Sequence, residues 1–387
     1  MRVSLLGCGF IGYAIAYAFA EDNLRNVEFN LYDSSINNLR RCTSLPLNIT
    51  QAEKTDLSAE DILKRVLKNS DLVIEALPGS LGFKVMKLAS ELCVDIVSVS
   101  YTLENPLILH EKFKECKSIL VPDAGFAPGI SNILVGHAST LLDLLEDVRI
   151  YVGGLPEKPI GPLKYVITWS VDDLIDEYLR KARIIKDYNI VYLDPLESIE
   201  IVEIPGFGVF EAFYTDGLRT MLYSMAGKIR NAFEKTLRYP GHIEGMKLLR
   251  ELGLMDEEPL NIEGHKVIPR KFLSEVLKRK LLLPNVRDIA ILFLSINGSK
   301  DVSKIKLQYL VWSKYDVSRG LSAMSKITGF TTYSIAKVIM NYSNKLDYGV
   351  IPPEYLGMDD AIYKYIVNEL LKKGIRLENY IRNRIVP

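Results

Sequence analysis

The 387-residue chain is 48% hydrophobic and 25% charged, with 48 Lys and Arg balanced by 48 Asp and Glu, a composition typical of soluble globular proteins. A net charge of zero leaves no basic excess to neutralise a phosphate backbone, and no run of eighteen apolar residues is present to span a bilayer, so nucleic acid and membrane are excluded as main partners. The length predicts two lobes rather than one core.

The first residues, 1–6, read as a buried strand rather than a leader because Gly7 interrupts the apolar run at once, which places the protein in the cytoplasm. Cys8, Cys42, Cys93 and Cys116 show no CxxC spacing, and no disulfide is expected. His110, His137, His242 and His265 form no ligand cluster, so no metal is expected. Glutamine occurs only at positions 51 and 308, a scarcity associated with heat-adapted proteins.

The strand at 2–6 runs into Gly7-Cys8-Gly9-Phe10-Ile11-Gly12 and then a helix-forming stretch from Tyr13 to Ala20. In such a turn Gly7 permits the bend, Gly9 lets a pyrophosphate approach the backbone, and Gly12 lets helix pack on strand. Phe10 and Ile11, within this turn, are candidate cofactor contacts, and the N-terminus of the following helix offers unpaired N–H groups to the phosphates. A second strand, Val27–Tyr32, ends in Asp33, where a carboxylate accepts the ribose hydroxyls of NAD and repels the extra phosphate of NADP. Arg40 and Arg41 lie near enough in sequence to keep NADP as the alternative.

Further strands follow at 71–76, 94–99 and 118–122, with a helix between Gly79 and Leu92. This alternation predicts a doubly wound parallel sheet, with ligands beyond the carboxyl ends of its strands. Leu77, Pro78 and Ser100 should flank the cofactor, and Asp123 should face its nicotinamide half. An apolar helix is expected over 133–145, bridging the lobes.

From Asp147 the pattern alternates, with Val148, Ile150 and Val152 on one face and Gly153-Gly154 expected to end the strand. Strand-like runs at 163–169, 199–203 and 209–214 predict a mixed or antiparallel sheet. Three polar clusters stand out here: Thr168-Trp169-Ser170 with the acids after it, Tyr214-Thr215-Asp216-Gly217-Leu218-Arg219, and Thr236-Leu237-Arg238-Tyr239-Pro240-Gly241-His242. Arg219 and Arg238 are either partners of neighbouring acids or clamps for a substrate carboxylate. His242 is either an ordinary hydrogen-bonded histidine or a proton-transfer group.

These motifs together resemble the saccharopine dehydrogenase family. The resemblance rests on the glycine turn, Asp-Ala-Gly-Phe-Ala-Pro-Gly-Ile-Ser-Asn at 123–132, Tyr-Val-Gly-Gly-Leu-Pro at 151–156, Ile-Thr-Trp-Ser at 167–170, Asp-Glu-Tyr at 176–178, and the clusters at 215–219 and 236–242. It continues through Thr328-Gly329-Phe330 and Gly349-Val350-Ile351-Pro352-Pro353-Glu354, and is nearest to the L-lysine 6-dehydrogenase branch. It implies an α/β fold in which a discontinuous Rossmann domain, residues 1–124 and 325–387, holds an inserted α+β mixed-sheet domain, 125–324, for substrate and dimerisation. Helices at 328–342 and 358–373 would return to the Rossmann lobe.

The implied reaction is NAD-dependent oxidative deamination of L-lysine to the 6-semialdehyde, with ammonia released. Asp123 and then His242 are the candidate bases. Arg219 or Arg238 would hold the α-carboxylate, with Trp169, Tyr214 and Thr215 lining the pocket. Saccharopine reductases carry an Asp before the Pro-Gly of the loop, where this chain has Ala127, and related sequences have Pro where it has Val171. A saccharopine or carboxynorspermidine-type enzyme acting on a secondary amine, and a non-catalytic dinucleotide sensor, are the alternatives. The expected partner set is a small amino acid and a second copy of the chain.

Overall fold

The computed structural model describes residues 1–167, 171–283 and 286–384, with side chains up to 379. The chain divides into two compact units, one of Met1–Leu142, Arg219–Met225 and Ser325–Leu377, the other of Asp143–Leu218, Ala226–Met324 and the chain from Glu378 on. The helix after Asp123 and the short segment from Arg219 thus group with the nucleotide-type lobe, and the final residues with the other.

The first unit is built on a seven-stranded, all-parallel sheet. Its order is Gly349–Val350, Ile119–Val121, Asp95–Ser98, Leu72–Glu75, Arg2–Leu6, Glu28–Asp33, Ile49–Lys54. The order reverses direction at Arg2–Leu6, the switch point at which doubly wound sheets bind dinucleotides. Leu72–Glu75 is buried along its whole length, as expected of a central strand covered on both faces. Leu6, Val73, Ile96 and Leu120 of the sheet pack with Val85, Met86, Ala89 and Phe113 of the helices into one core.

The return of the chain to this lobe is made by the helices Ala323–Tyr342 and Asp360–Lys372. The helix after Asp123 runs Ile130–Leu141 rather than 133–145, because the amide of Gly129 is capped by Asn132 Oδ1 at 3.2 Å and a strand already begins at Leu144. Cys93 and Cys116 form a disulfide between the ends of the helices Gly79–Leu92 and His110–Glu115. That corrects the expectation of unpaired thiols: the partners are 23 residues apart, and only the folding of both helices brings them together.

The second unit holds a nine-stranded mixed sheet. Its main path is Glu200–Ile204, Gly208–Thr215, Ile229–Arg238, Leu144–Pro156, Asp288–Lys300, Ser303–Lys314, Arg376–Arg384, and the hairpin Ala182–Lys186/Asn189–Leu193 joins at Ile229–Arg238. Leu144–Pro156 pairs parallel with Ile229–Arg238 and antiparallel with Asp288–Lys300. The strand does not stop at Gly153-Gly154: Gly153 pairs with Ile291 and Gly154 with Ala290. A methyl at Gly153 would come within 2.9 Å of Leu237 Cβ, and one at Gly154 within 2.5 Å of Met324, so these glycines serve close packing, not termination. Residues 163–167 are not a strand either; the amide of Tyr165 bonds Ile160 O and that of Ile167 bonds Leu281 O, which draws the run away from the sheet.

Candidate functional site

The first unit carries a dinucleotide cradle. Gly7 has φ +93°, and a methyl on it would stand 2.4 Å from Ala76 O, while one on Gly12 would stand 1.9 Å from Gly7 O. Two of the three glycines are therefore required by contact. A methyl on Gly9 would meet nothing within 4 Å, the open approach that a pyrophosphate needs. Phe10 and Ile11 begin the helix Phe10–Asp22, with Phe10 half exposed. Asp33 closes the neighbouring strand and is buried; its Oδ2 accepts the amide of Cys8 at 2.6 Å and its Oδ1 the amide of Ser35 at 2.6 Å. Arg41 is stacked 4.4 Å over the Tyr13 ring. These residues fit a nicotinamide dinucleotide: a glycine opening, a helix N-terminus for phosphate and a carboxylate where a ribose would lie.

Leu77 lies against Gly7, with Cδ2 3.3 Å from the position of a Gly7 methyl, and Pro78 leads into the helix Gly79–Leu92. The turn that carries them is held by Glu75, a residue outside the glycine motif. Its Oε1 accepts the amide of Leu77 at 2.7 Å and the hydroxyl of Ser100 at 2.6 Å, and its Oε2 the hydroxyl of Ser98 at 2.5 Å. Burial pushes this carboxyl above its usual range, against the pull of those hydrogen bonds. A carboxylate closing a wholly apolar parallel strand was the signal available in the sequence.

Asp123 follows the strand Ile119–Val121 with φ +53°, and Arg219 has φ +52°. Both sit in the left-handed region that side chains seldom adopt and that recurs at functional sites. They meet as a buried ion pair, Arg219 Nε donating to Asp123 Oδ1 at 3.1 Å. The same guanidinium donates through Nη2 to Thr102 Oγ1 at 3.2 Å and through Nη1 to Thr102 O, and lies 4.4 Å over the Tyr101 ring. Arg219 is thus engaged with Asp123 and the Tyr101-Thr102 turn, the partner role rather than that of a free clamp.

A further buried acid, Glu354, bonds the residue next to Arg219. Glu354 Oε2 accepts Asn132 Nδ2 at 3.1 Å and Thr220 Oγ1 at 3.0 Å, and Oε1 accepts Ser224 Oγ. Burial pushes its carboxyl up to about 7, opposed by those donors.

The other candidates belong to the second unit. Arg238 is 2% exposed and donates to Glu177 Oε2 at 2.6 Å, Tyr178 Oη at 3.1 Å and Leu237 O at 2.9 Å. His242 Nε2 is 2.7 Å from Tyr178 Oη and Nδ1 is 2.6 Å from Leu163 O. Burial, and then the Arg238 charge, depress its pKa to about 3, so the ring is neutral at ordinary pH. Arg238 and His242 are brought together through Tyr178 inside this lobe.

Thr215 Oγ1 bonds Thr236 at 2.9 Å and Glu234 Oε1 at 3.3 Å, whereas Tyr214, its neighbour on the strand, carries Lys235 Nζ 4.4 Å over its ring. Glu234 is a buried acid pushed up to about 8 by burial. Trp169 lies outside the described residues.

Residues 3–121 match the family model of the saccharopine dehydrogenase NADP binding domain, and residues 125–375 that of the saccharopine dehydrogenase C-terminal domain. The chain is 22% identical to alpha-aminoadipic semialdehyde synthase of Arabidopsis thaliana, over 77% of this chain and 30% of that protein. It is 24% identical to saccharopine dehydrogenase (NADP(+), L-glutamate-forming) of Saccharomyces cerevisiae, over 72% of this chain and 64% of that one. It therefore spans less than two thirds of the length of either relative. Among solved structures, apo saccharopine dehydrogenase (L-Glu forming) from Saccharomyces cerevisiae superposes with a TM-score of 0.79 at 19% identity, covering 98% of this chain and 99% of that one. The homospermidine synthase of Legionella pneumophila, solved with NAD, gives 0.67 at 14% identity, covering 98% and 91%. Both likenesses establish the fold.

Proposed function

The chain belongs to the saccharopine dehydrogenase family, and from that premise we propose that it is a nicotinamide-dependent oxidoreductase acting on the amine-bearing carbon of an amino acid. Its preferred substrate in this reading is L-lysine, converted with water to the 6-semialdehyde and ammonia. The observation that carries the proposal is Asp123, a buried carboxylate at the end of the last strand before the chain leaves the sheet core, paired with Arg219 at 3.1 Å.

Hydride can leave a carbon next to nitrogen only when that nitrogen holds a lone pair, so the substrate ammonium must first lose a proton. Asp123 is the group to bind the ammonium and accept the proton. Arg219 favours the neutral amine, because a fixed cation beside it penalises a second positive charge. A bound nicotinamide supplies the two-electron acceptor, and the cradle at Gly7–Gly12 fixes its orientation. Once the carbon is oxidised to an iminium, Asp123 releases that first proton to solvent; water then adds to the carbon, and the carboxylate takes a proton from the water oxygen and returns it to the nitrogen, which departs as ammonia. Arg238 and His242, both engaged inside the second unit, act in this reading as its structural framework.

The cofactor is NAD, supported by the carboxylate of Asp33 at the ribose end of the cradle. Asp33→Ser should lower the NAD/NADP preference; an unchanged ratio would mean that the ribose is read elsewhere. A secondary-amine substrate is the second reading, favoured by the name of the yeast relative, a saccharopine dehydrogenase. We further take the protein to be a homodimer of the cytoplasm acting on small molecules alone. The even charge balance, with no basic excess for nucleic acid, supports the small-molecule part of this reading; among the described residues no helix is long and apolar enough to cross a membrane. The Cys93–Cys116 disulfide is compatible with a cytoplasmic setting where intracellular disulfides persist, as they do in hyperthermophiles.

The test is purified protein with NAD and L-lysine, following nicotinamide reduction and ammonia release together, with NADP and saccharopine in parallel. Stoichiometric ammonia on lysine alone supports the proposal. Turnover of saccharopine without ammonia selects the second reading, and cofactor binding with no turnover on any amine rejects both.

A further inference from the structure

The Gly349–Glu354 motif takes no part in the chemistry described so far, yet it delivers a carboxylate to the back of the Asp123–Arg219 pair. Gly349–Val350 pairs in parallel with Ile119–Val121, the strand that leads to Asp123. Pro352 and Pro353 then turn the chain into the helix Pro353–Met358, which crosses Ile130–Leu141 at glycine contacts on both sides. A methyl on Gly136 would stand 1.9 Å from Glu354 O, and one on Gly357 would stand 1.9 Å from Ile133 O. That crossing leaves Glu354 fully buried.

A carboxyl costs free energy to bury and is tolerated only where its oxygens are used. Here they gather donors from two other segments. Asn132 comes from the first turn of the helix that follows Asp123, and its Oδ1 also accepts the amide of Gly129, fixing the Asp123–Gly129 loop. Thr220 is the residue next to Arg219, and Ser224 lies one turn further along the same short segment. The strained backbone of Arg219 (φ +52°) is thus restrained by a side-chain bond at the adjacent residue, and Asn132 Nδ2 lies 3.4 Å from Thr220 Oγ1 to close the triangle.

We propose that Glu354 is the positioning residue of this site: its carboxylate ties the segment carrying Arg219 to the helix following Asp123, and so sets the geometry of the ion pair. The proposal rests on the catalytic reading of Asp123. Glu354 touches neither substrate nor cofactor; it acts through Thr220 and Asn132.

The test compares Glu354→Leu with Glu354→Gln in the full chain, using whichever amine is turned over. Leucine removes all three interactions at similar volume. It should lower kcat on the order of 10²-fold, the scale expected when reacting groups shift by about an ångström, while the NADH dissociation constant stays within about twofold. Glutamine can still accept from Asn132 and Thr220 and donate to Ser224 Oγ, so it should restore kcat to within about threefold. A leucine variant with kcat unchanged, a glutamine variant as impaired as leucine, or an equal loss of kcat and NADH binding would overturn the proposal. If the leucine protein does not fold, the Thr220→Val/Ser224→Ala double variant removes the donors instead. It should show the same kcat-only loss, and an unchanged kcat overturns the proposal.

A second arm needs no substrate. Arg219 is buried, and the bond after it should resist trypsin in the native protein and in Glu354→Gln but be cut early in Glu354→Leu, as mapped by mass spectrometry. Persistent protection in the leucine variant rejects the positioning role even if lysine is the substrate. Lost protection in a protein that oxidises no amine supports the positioning role and rejects the catalytic reading alone.

Discussion

Asp123 and Arg219 are separated by 96 residues and meet as an ion pair at 3.1 Å, each from a left-handed backbone. Replacing either residue by an uncharged one leaves the other as an unpaired buried charge. Removing one partner of such a pair costs more than the pair contributes, because desolvation of the survivor is no longer offset. Arg219→Met should therefore destabilise the protein by about 3–5 kcal/mol and lower the midpoint of urea unfolding. Arg219→Lys keeps the charge but loses the fork to Thr102, and should retain most of the stability while reducing kcat/KM by about tenfold or more, a loss of roughly 1.4 kcal/mol in transition-state binding. Equal stability of the methionine variant and the parent would contradict the pairing.

Gly217 and Glu234 form a second close relationship. A methyl on Gly217 would lie 1.7 Å from Glu234 Oε1, the end of a buried side chain that must turn aside, so Gly217→Ala should cost about 1–3 kcal/mol, the range for overpacking. In a Glu234→Ala background the same change should cost less than about 1 kcal/mol, since the obstructing carboxyl is gone. Additive effects in the double variant would show that the two residues do not touch.

Glu234 also carries a pH signature. Burial raises its folded pKa to about 8 from the ordinary 4.5, so the folded protein binds the proton more tightly than the unfolded chain does. The stability linked to this group is fully present below pH 4.5 and is lost as pH rises through 8. Glu234→Gln should remove that loss and leave the protein on the order of 2 kcal/mol more stable than the parent at pH 9, with little difference at pH 5. Parallel stability curves for parent and variant across this range would refute the assignment.

His242 has the opposite sign. Its folded pKa is held near 3, below the ordinary 6.5, so its contribution is present above pH 6.5 and is lost as pH falls toward 3. His242→Gln should flatten the acid limb of the stability curve and, at pH 7, cost about 1–3 kcal/mol through the contacts to Tyr178 and Leu163. With folded protein, kcat at pH 8 should stay within about threefold of the parent, a change of less than roughly 1 kcal/mol in the barrier. A drop of two orders of magnitude would return His242 to the chemistry.

The Cys93–Cys116 disulfide closes a loop of 23 residues, for which the chain-entropy relation gives about 3 kcal/mol. Reduction in guanidine-free buffer followed by thiol blocking should lower Tm measurably and leave the cofactor affinity near its original value. An identical Tm for oxidised and reduced protein would mean that the bridge contributes nothing to stability.

Much of the nucleotide lobe was legible because local chemistry determines it. Gly7, Gly9 and Gly12 sit between a short apolar strand and a helix, and Asp33 ends the next strand. Asp123 was legible as the end of a strand, but its partner was not: Arg219 reaches it from a segment whose own neighbours in sequence lie in the other unit. Arg238 and His242 stay open between a structural and a reactive role in the sequence, which does not record that Glu177, Tyr178 and Leu163 surround them. The burial of Glu75, Glu234 and Glu354 was not legible for the same reason, since an acid within a strand or helix normally faces water, and burial is decided by packing across the chain. The disulfide was missed because Cys93 and Cys116 end two different helices.

The most direct test is Asp123→Asn, which keeps the volume and removes the carboxylate. Steady-state amine oxidation and NADH binding should be measured on the same preparation, with folding verified by circular dichroism. Loss of kcat by about 10²-fold or more, in line with removal of a general base, together with an NADH dissociation constant within about twofold of the parent, is the predicted result. Activity retained within a few-fold at unchanged NADH affinity would contradict the account and leave the Asp123–Arg219 pair a structural feature of the fold.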